Sequence, residues 1–188
     1  MIRPRFGTLA AILIALLCAG LLALVLHQAS NQRLPLSDTA IIRAQASEKH
    51  LDPALIAAVI YAESKFEPRP SSAGAQGLMQ ILPATAYYLA QLSGGHAFTA
   101  SDLATPSINV AYGSYYLRYL LDHYHGNEML AVAAYNGGLA NVDHWVAEAG
   151  GHLEIEEIPF PETREYVQRV LSAQAIYRST YAQALGID

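Results

Sequence analysis

Charge is what this sequence has least of. Of its 188 residues, 14% are Asp, Glu, Lys or Arg, where an ordinary soluble domain has about 25%. A disordered, highly charged chain is thereby excluded, and a net charge of −5 argues against a basic nucleic-acid binder. Cysteine is nearly absent as well. The one copy, Cys18, has no partner for an internal disulfide. Alternating strand pattern never persists beyond a few residues, and no repeat of fixed period appears. A phosphate-binding loop, a zinc-protease motif and a nucleophile elbow are all missing.

What the chain does have is apolar surplus, 53% of residues, and it is unevenly spread. From Phe6 to Leu26 the sequence runs 21 residues without a charge, 18 of them apolar. A hydrocarbon core about 30 Å thick needs roughly 20 such residues in a helix, so residues 6–26 are expected to form a transmembrane anchor. Arg3 and Arg5 in the five-residue tail predict a cytoplasmic N-terminus and an exported remainder. A cleaved signal peptide is the alternative. Its apolar core is commonly only about 7 to 15 residues, and His27 falls where a small residue would be wanted for cleavage. Cys18 follows Ala15, Leu16 and Leu17, a poor lipoprotein signal, and reads best as a small apolar residue in the anchor. Residues 27–36 form a linker, and residues 37–188 suffice for one core and one domain. That domain holds all 16 acidic residues against 8 basic ones, a net −8. Attraction to anionic lipid or nucleic acid is disfavoured; a neutral sugar polymer is not.

Helix signals fill the domain, which is predicted to be mainly α. Ser37 or Asp38 can cap a helix to about Lys49. Asp52-Pro53 is an N-cap followed by proline at the first helical position. Further helices are expected from Pro83 to Gly94, from Pro106 to His125, over 128–135 and 140–149, and from Pro161 to about Ala184. Asn136-Gly137-Gly138 is read as a break. Tyr112, Tyr115, Tyr116 and Tyr119 recur at helical spacing and read mainly as core, with room for two of them to face a cleft. His123 and His125 are two apart, on different helix faces, and suggest a helix-end pair interacting with the dipole in place of a metal site. Trp145 fits a core plug or a subsite wall equally well.

On the helix opened by Pro53, Ile56, Val59, Ile60 and Glu63 share one face. Glu63 therefore continues an apolar stripe. Lost hydration raises a carboxyl pKa, the negative helix C-terminus pushes the same way, and a proton held near neutrality is what a general acid needs. Periodicity alone leaves a surface glutamate at a fraying helix end equally open.

The neighbourhood adds more. Glu63-Ser64 is followed by Ser71-Ser72-Ala73-Gly74-Ala75, Gly77-Leu78-Met79-Gln80 and Pro83-Ala84-Thr85-Ala86. Farther on come Ala134-Tyr135-Asn136-Gly137-Gly138 and Ile158-Pro159-Phe160 with Glu162-Thr163-Arg164-Glu165-Tyr166-Val167. In this order the string resembles the catalytic domain of the soluble lytic transglycosylases, goose-type-lysozyme-like enzymes that cleave peptidoglycan. The likeness extends from about Asp52 to Leu171. It implies a lysozyme-like helical domain with Glu63 as the single catalytic acid and then base. It also implies Ser71 close to that carboxylate, Met79, Gln80, Tyr135 and Asn136 lining the cleft, and Tyr166 beside the reaction centre. No metal or cofactor is implied. Departures fall in the loop: one residue fewer between Pro68 and Ser71, Ser72 in place of a common proline, and Leu82 where some members have methionine.

The standard two-carboxylate glycosidase routes need a second acid at a set separation. Glu67 lies beyond the helix and is expected to be solvated, while Glu162 and Glu165 fall in the first turn of the last helix, where carboxylates are favoured structurally. One carboxylate suits the route the resemblance implies. Glu63 protonates the leaving oxygen, then accepts the proton of the muramic C6 hydroxyl as that hydroxyl attacks its own anomeric carbon, giving a 1,6-anhydro end. The substrate's N-acetyl group is implied to carry the charge in between. The expected protein is thus a membrane-anchored, extracytoplasmic lytic transglycosylase acting on peptidoglycan strands, with protein partners in wall assembly unassigned. The rival readings are a hydrolytic muramidase on the same fold and a wall-binding factor without turnover.

Overall fold

The computed structural model describes residues 12, 14–21, 33–94 and 99–187. The chain divides into two compact units, Met1–Arg33 and Leu34–Asp188. In the first, residues 14–21 are helical, and Ile14, Leu16, Leu17 and Leu21 are exposed. Most of the expected anchor and of the linker lies outside the described residues. Among the described residues no helix is long and apolar enough to cross a membrane.

The second unit is built from helices: α1 (Thr39–Lys49), α2 (Pro53–Ser64), α3 (Pro83–Ser93), α4 (Pro106–His123), α5 (Glu128–Gly137), α6 (Leu139–Glu148), α7 (Pro161–Thr180) and α8 (Ala182–Leu185), with 3-10 turns at Ala100–Ala104 and Ile155–Glu157. Among the described residues the only β-type pairing is an isolated bridge between Gln76 and Ile81. The core centres on α2, in which every residue from Ala54 to Ile60 is buried. A helix apolar on all sides must be surrounded, and α2 packs most extensively on α7 and also on α1. Its start is fixed as expected: Asp52 accepts a hydrogen bond from the Ala54 amide at 3.0 Å, and Pro53 supplies the first turn.

Other ends differ from expectation. Asp38 sits at the N-cap of α1 with φ 53° and makes no side-chain cap; the Ser37 hydroxyl donates to its carboxylate at 2.6 Å instead. α4 stops at His123, because Tyr124 leaves helical geometry and His125 turns left-handed at φ 52°. Gly137 stays within α5, and Gly138, at φ 86°, makes the break alone. The last expected helix is two, interrupted at Tyr181. Near that interruption, the hydroxyls of Tyr177 and Tyr181 donate to the carbonyls of Pro35 and Leu34 at 2.5 and 2.6 Å, strapping the start of the domain to α7.

The segment between α2 and α3 has no regular structure, yet its inner turn is tied by several hydrogen bonds. Gln76 and Ile81 exchange two backbone bonds of 3.0 Å. Buried Asn109 of α4 accepts from the Met79 amide at 2.8 Å and donates to the carbonyls of Gln76 and Leu103 at 2.7 and 3.1 Å. The Ser64 hydroxyl donates to the Leu78 carbonyl at 2.7 Å. Gly113 of α4 admits the Met79 side chain: a Cβ there would lie 2.7 Å from the Met79 Cβ. Replacing Asn109 by leucine keeps the branched shape and strands the Met79 amide and the Leu103 carbonyl, while the Gln76 carbonyl keeps its bond from the Ile81 amide. The expected cost is about 3 kcal/mol of unfolding free energy, measured by urea titration of the domain. A loss below about 0.5 kcal/mol would show that the loop does not depend on this side chain.

Candidate active site

Glu63 occupies the last turn of α2, one residue before the helix ends, and its side chain is part-buried as the stripe of Ile56, Val59 and Ile60 predicts. The Tyr166 hydroxyl, from α7, donates to Glu63 Oε1 at 2.7 Å. Burial pushes the Glu63 pKa up from 4.5 to about 7, while the Tyr166 hydrogen bond and the charge of Arg169 pull it down. Desolvation wins because one phenol and one exposed guanidinium replace only part of the hydration shell. The carboxyl is thus balanced between proton donor and acceptor near neutral pH, as acid–base catalysis by one group requires.

Two tyrosines flank it. Tyr135, near the end of α5, donates to the Met79 carbonyl at 3.0 Å. Burial, and after it the Glu63 charge, hold the hydroxyls of Tyr135 and Tyr166 well above their ordinary pKa, so both remain donors. Asn136 follows Tyr135, and its Oδ1 accepts from the Thr163 hydroxyl at 2.8 Å. Gln80, left-handed at φ 47°, folds back so that Nε2 donates to the carbonyls of Gly77 and Arg69, both at 2.8 Å. The end of α2, the 76–81 turn, the end of α5 and the start of α7 therefore converge on one carboxyl.

One expected cleft residue has its side chain elsewhere. Met79 has no exposed surface and cannot touch a sugar; its side chain fills the space beside Gly113, and only its carbonyl reaches the site, through Tyr135. Ser71 is engaged in its own loop, where Oγ accepts from the Ala75 amide at 3.0 Å, and among the described residues it makes no bond to Glu63. That bond uses one lone pair of the oxygen, and the O–H remains a donor.

Glu67 is exposed as expected and lies 3.7 Å from Arg69. Glu162 falls in the first turn of α7 as expected, whereas Glu165 lies beyond that turn; both are exposed. His123 is not left to the helix dipole: its Nε2 lies 2.9 Å from Asp143, which also accepts from the Tyr124 hydroxyl at 3.0 Å. Among the described residues no group of three or more His, Cys, Asp or Glu is placed to hold a metal. Trp145 is buried, with its ring edge-on to exposed Phe160 at 4.8 Å.

The tyrosine stripe of α4 divides. Tyr112 and Tyr115 line a hollow with Glu48 and Lys49. Tyr116 and Tyr119 line a separate groove of about 350 Å³ with Ala84, Thr85, Tyr88 and Leu139. Tyr116 lies 5.3 Å from Tyr135 between ring centres, which joins that groove to the site. Sequence reasoning assigned no site role to Asn109, Ser64 or Thr163. The signal available for them is a polar residue inside an apolar helical face.

A carboxyl whose pKa is higher in the folded state stabilises the fold fully only below its unfolded value, 4.5, and loses that contribution as pH rises toward 7. Above that range burial of the carboxylate costs about 3 kcal/mol. Glu63→Gln should therefore be more stable than the wild type at pH 8, by up to about 3 kcal/mol, with the gain vanishing near pH 4.5. Thermal unfolding of both proteins across pH checks this. An equal or lower melting temperature for the glutamine protein at pH 8 would mean that Glu63 is not desolvated.

The family described as "Transglycosylase SLT domain" matches residues 40–158, and that described as "Soluble lytic transglycosylase helical domain" matches residues 157–185. The "Soluble lytic murein transglycosylase" of Escherichia coli (strain K12) is 33% identical over 154 residues, covering 79% of this chain and 24% of that protein. The crystal structure of an inactive mutant of the lytic transglycosylase Slt from Pseudomonas aeruginosa superposes with a TM-score of 0.73 at 34% identity, over 82% of this chain and 25% of that one. The 70 kDa soluble lytic transglycosylase from Escherichia coli superposes with a TM-score of 0.76 at 30% identity, over 83% and 26%. The chain thus spans about a quarter of the length of the relatives it matches.

Proposed function

The chain belongs to the transglycosylase SLT domain family, and from that membership and the state of Glu63 we propose that it cleaves the β-1,4 bond between MurNAc and GlcNAc of peptidoglycan without consuming water. The observation that carries this reading is one part-buried carboxyl with a pKa of about 7, hydrogen-bonded by Tyr166 and, among the described residues, with no second carboxylate acting on it. Protonated Glu63 donates to the glycosidic oxygen as the bond to the muramic anomeric carbon breaks, and GlcNAc leaves with that proton. The carboxylate so formed then accepts the proton of the C6 hydroxyl while its oxygen bonds to the same anomeric carbon. The net change is transfer of one hydroxyl proton to the leaving sugar, a 1,6-anhydro ring is the product, and Glu63 ends as it began. Tyr166 steadies the carboxylate between the two steps; Tyr135, Asn136 and Gln80 are assigned to the sugar. Direct contact with Met79 is not part of the proposal.

Mass analysis of purified peptidoglycan after digestion tests the reaction. The expected fragments end in anhydro-muramic acid, one water lighter than reducing ends. Hydrated fragments alone would establish a muramidase, and no fragments a binding protein. Glu63→Gln should lower turnover at least a thousandfold, on the order of the loss of a catalytic group that acts twice. A rate near that of the wild type would remove Glu63 from the chemistry.

We propose further that residues 6–26 anchor the enzyme, with the catalytic domain outside the cytoplasm. Support comes from 21 residues with no charge, flanked on the N-terminal side by Arg3 and Arg5. The full-length chain should sediment with membranes and resist extraction at alkaline pH. A soluble product beginning near Ser30 would identify residues 6–26 as a cleaved signal instead.

A further inference from the structure

Four tyrosine rings carried by three helices form a file that starts at the reacting carboxyl. Tyr135 of α5 stands beside Glu63 and bonds the Met79 carbonyl. Tyr116 of α4 lies 5.3 Å from Tyr135 between ring centres. Tyr119, a turn farther along α4, lies 6.4 Å from Tyr116, with the two rings 15° from parallel. Tyr88 ends the file from α3: its ring meets Tyr119 edge-on at 6.4 Å, and the two hydroxyls are 3.4 Å apart. The last three rings line the groove of about 350 Å³. Tyr88 is still 47% exposed, which leaves ring surface to bury against a ligand.

The lining indicates what would lie there. A tyrosine presents a flat apolar face and a hydroxyl at one edge. A pyranose is its complement, with apolar C–H faces and a rim of hydroxyls. Ala84 and Leu139 add apolar contact and Thr85 a further hydroxyl. Among the described residues that line the groove none is charged. At the Leu139 end, the Tyr124 hydroxyl lies 3.5 Å from the Leu139 carbonyl and donates to Asp143 at 3.0 Å, which puts a carboxylate there. A stem peptide, which ends in a carboxylate, would find no lysine or arginine in the lining to receive it. A neutral sugar needs none.

We propose that Tyr88 and Tyr119 form an outer saccharide subsite, which holds a sugar of the same strand beyond those that meet Glu63 and makes the enzyme select for strand length. The inference rests on the glycan-cleaving reading of the site. Tyr116 touches both the outer groove and Tyr135, so Tyr88 and Tyr119 are the residues that report on the outer subsite alone.

Peptide-free glycan strands test it, as a tetrasaccharide and as a long strand. The wild type should cleave the long strand with kcat/KM roughly tenfold above that for the tetrasaccharide. Tyr88→Ala, and Tyr119→Leu, which keeps apolar bulk without the flat ring, should each bring that ratio to within about twofold, through KM for the long strand. Tyr88→Phe keeps the ring and should keep most of the ratio. Because Tyr88 lies on the surface, Tyr88→Ala decides the matter even if the α4 variant fails to fold. Equal losses on both lengths, an unchanged ratio in Tyr88→Ala, or losses confined to strands that still carry their peptides would each overturn the proposal.

Binding supplies an arm without turnover. In Glu63→Gln, calorimetric titration should show the long strand bound roughly tenfold more tightly than the tetrasaccharide, and adding Tyr88→Ala should erase the difference. Equal affinity for the two lengths in Glu63→Gln would overturn the subsite. If the wild type cleaves no glycan and the difference persists, the reaction assigned to Glu63 fails and the subsite stands. If cleavage proceeds with a length preference indifferent to Tyr88, the subsite alone fails.

Discussion

The site depends on a contest over one carboxyl group. Removing water from Glu63 favours its neutral form, and the phenol of Tyr166 together with the charge of Arg169 favours the anion. Desolvation outweighs the other two without silencing them, which leaves the pKa at about 7. Fuller burial would give an acid that cannot return as a base, and fuller solvation a base with no proton to give. The partners that set this balance lie 103 residues apart in sequence. Everything that fixes α2 against α7 therefore also fixes the chemistry.

Around that pair the protein spends polar side chains on backbone. Asn109 and Ser64 are buried, and each hydrogen-bonds the backbone of the irregular turn after α2. Tyr135 does the same for the Met79 carbonyl while standing beside Glu63. A segment with no helix or sheet to satisfy it needs such partners, because each buried amide or carbonyl left alone costs about 1–3 kcal/mol. The consequence is an active-site wall that is irregular in form and rigid in position. It also explains Met79: the side chain is a wedge beside Gly113, and its carbonyl is the atom that Tyr135 binds.

Most of the helices were legible from local signals, because caps, prolines and glycines act within a few residues. Asp52-Pro53 and Gly94 mark their boundaries as such signals should. Failures occurred where a local rule met a competing neighbour. Asp38 fills a cap position, but its carboxylate is taken by Ser37. His123 has a helix end to serve and finds Asp143 instead. Met79 was placed in the cleft by resemblance alone, and resemblance does not distinguish a side chain that faces a cleft from one that supports it.

Sequence by itself determined the helical class, the separation of an apolar N-terminal run from an acidic domain, and the place of Glu63 on an apolar stripe. These follow from periodicity and composition, which are properties of neighbouring residues. Tertiary structure alone decided how far the Glu63 pKa rises, which hydroxyl meets it, and which two of four tyrosines border the groove. Each of those depends on contacts between segments far apart in the chain. Burial and hydrogen-bond polarity belong to the packed arrangement and are written in no single stretch of residues.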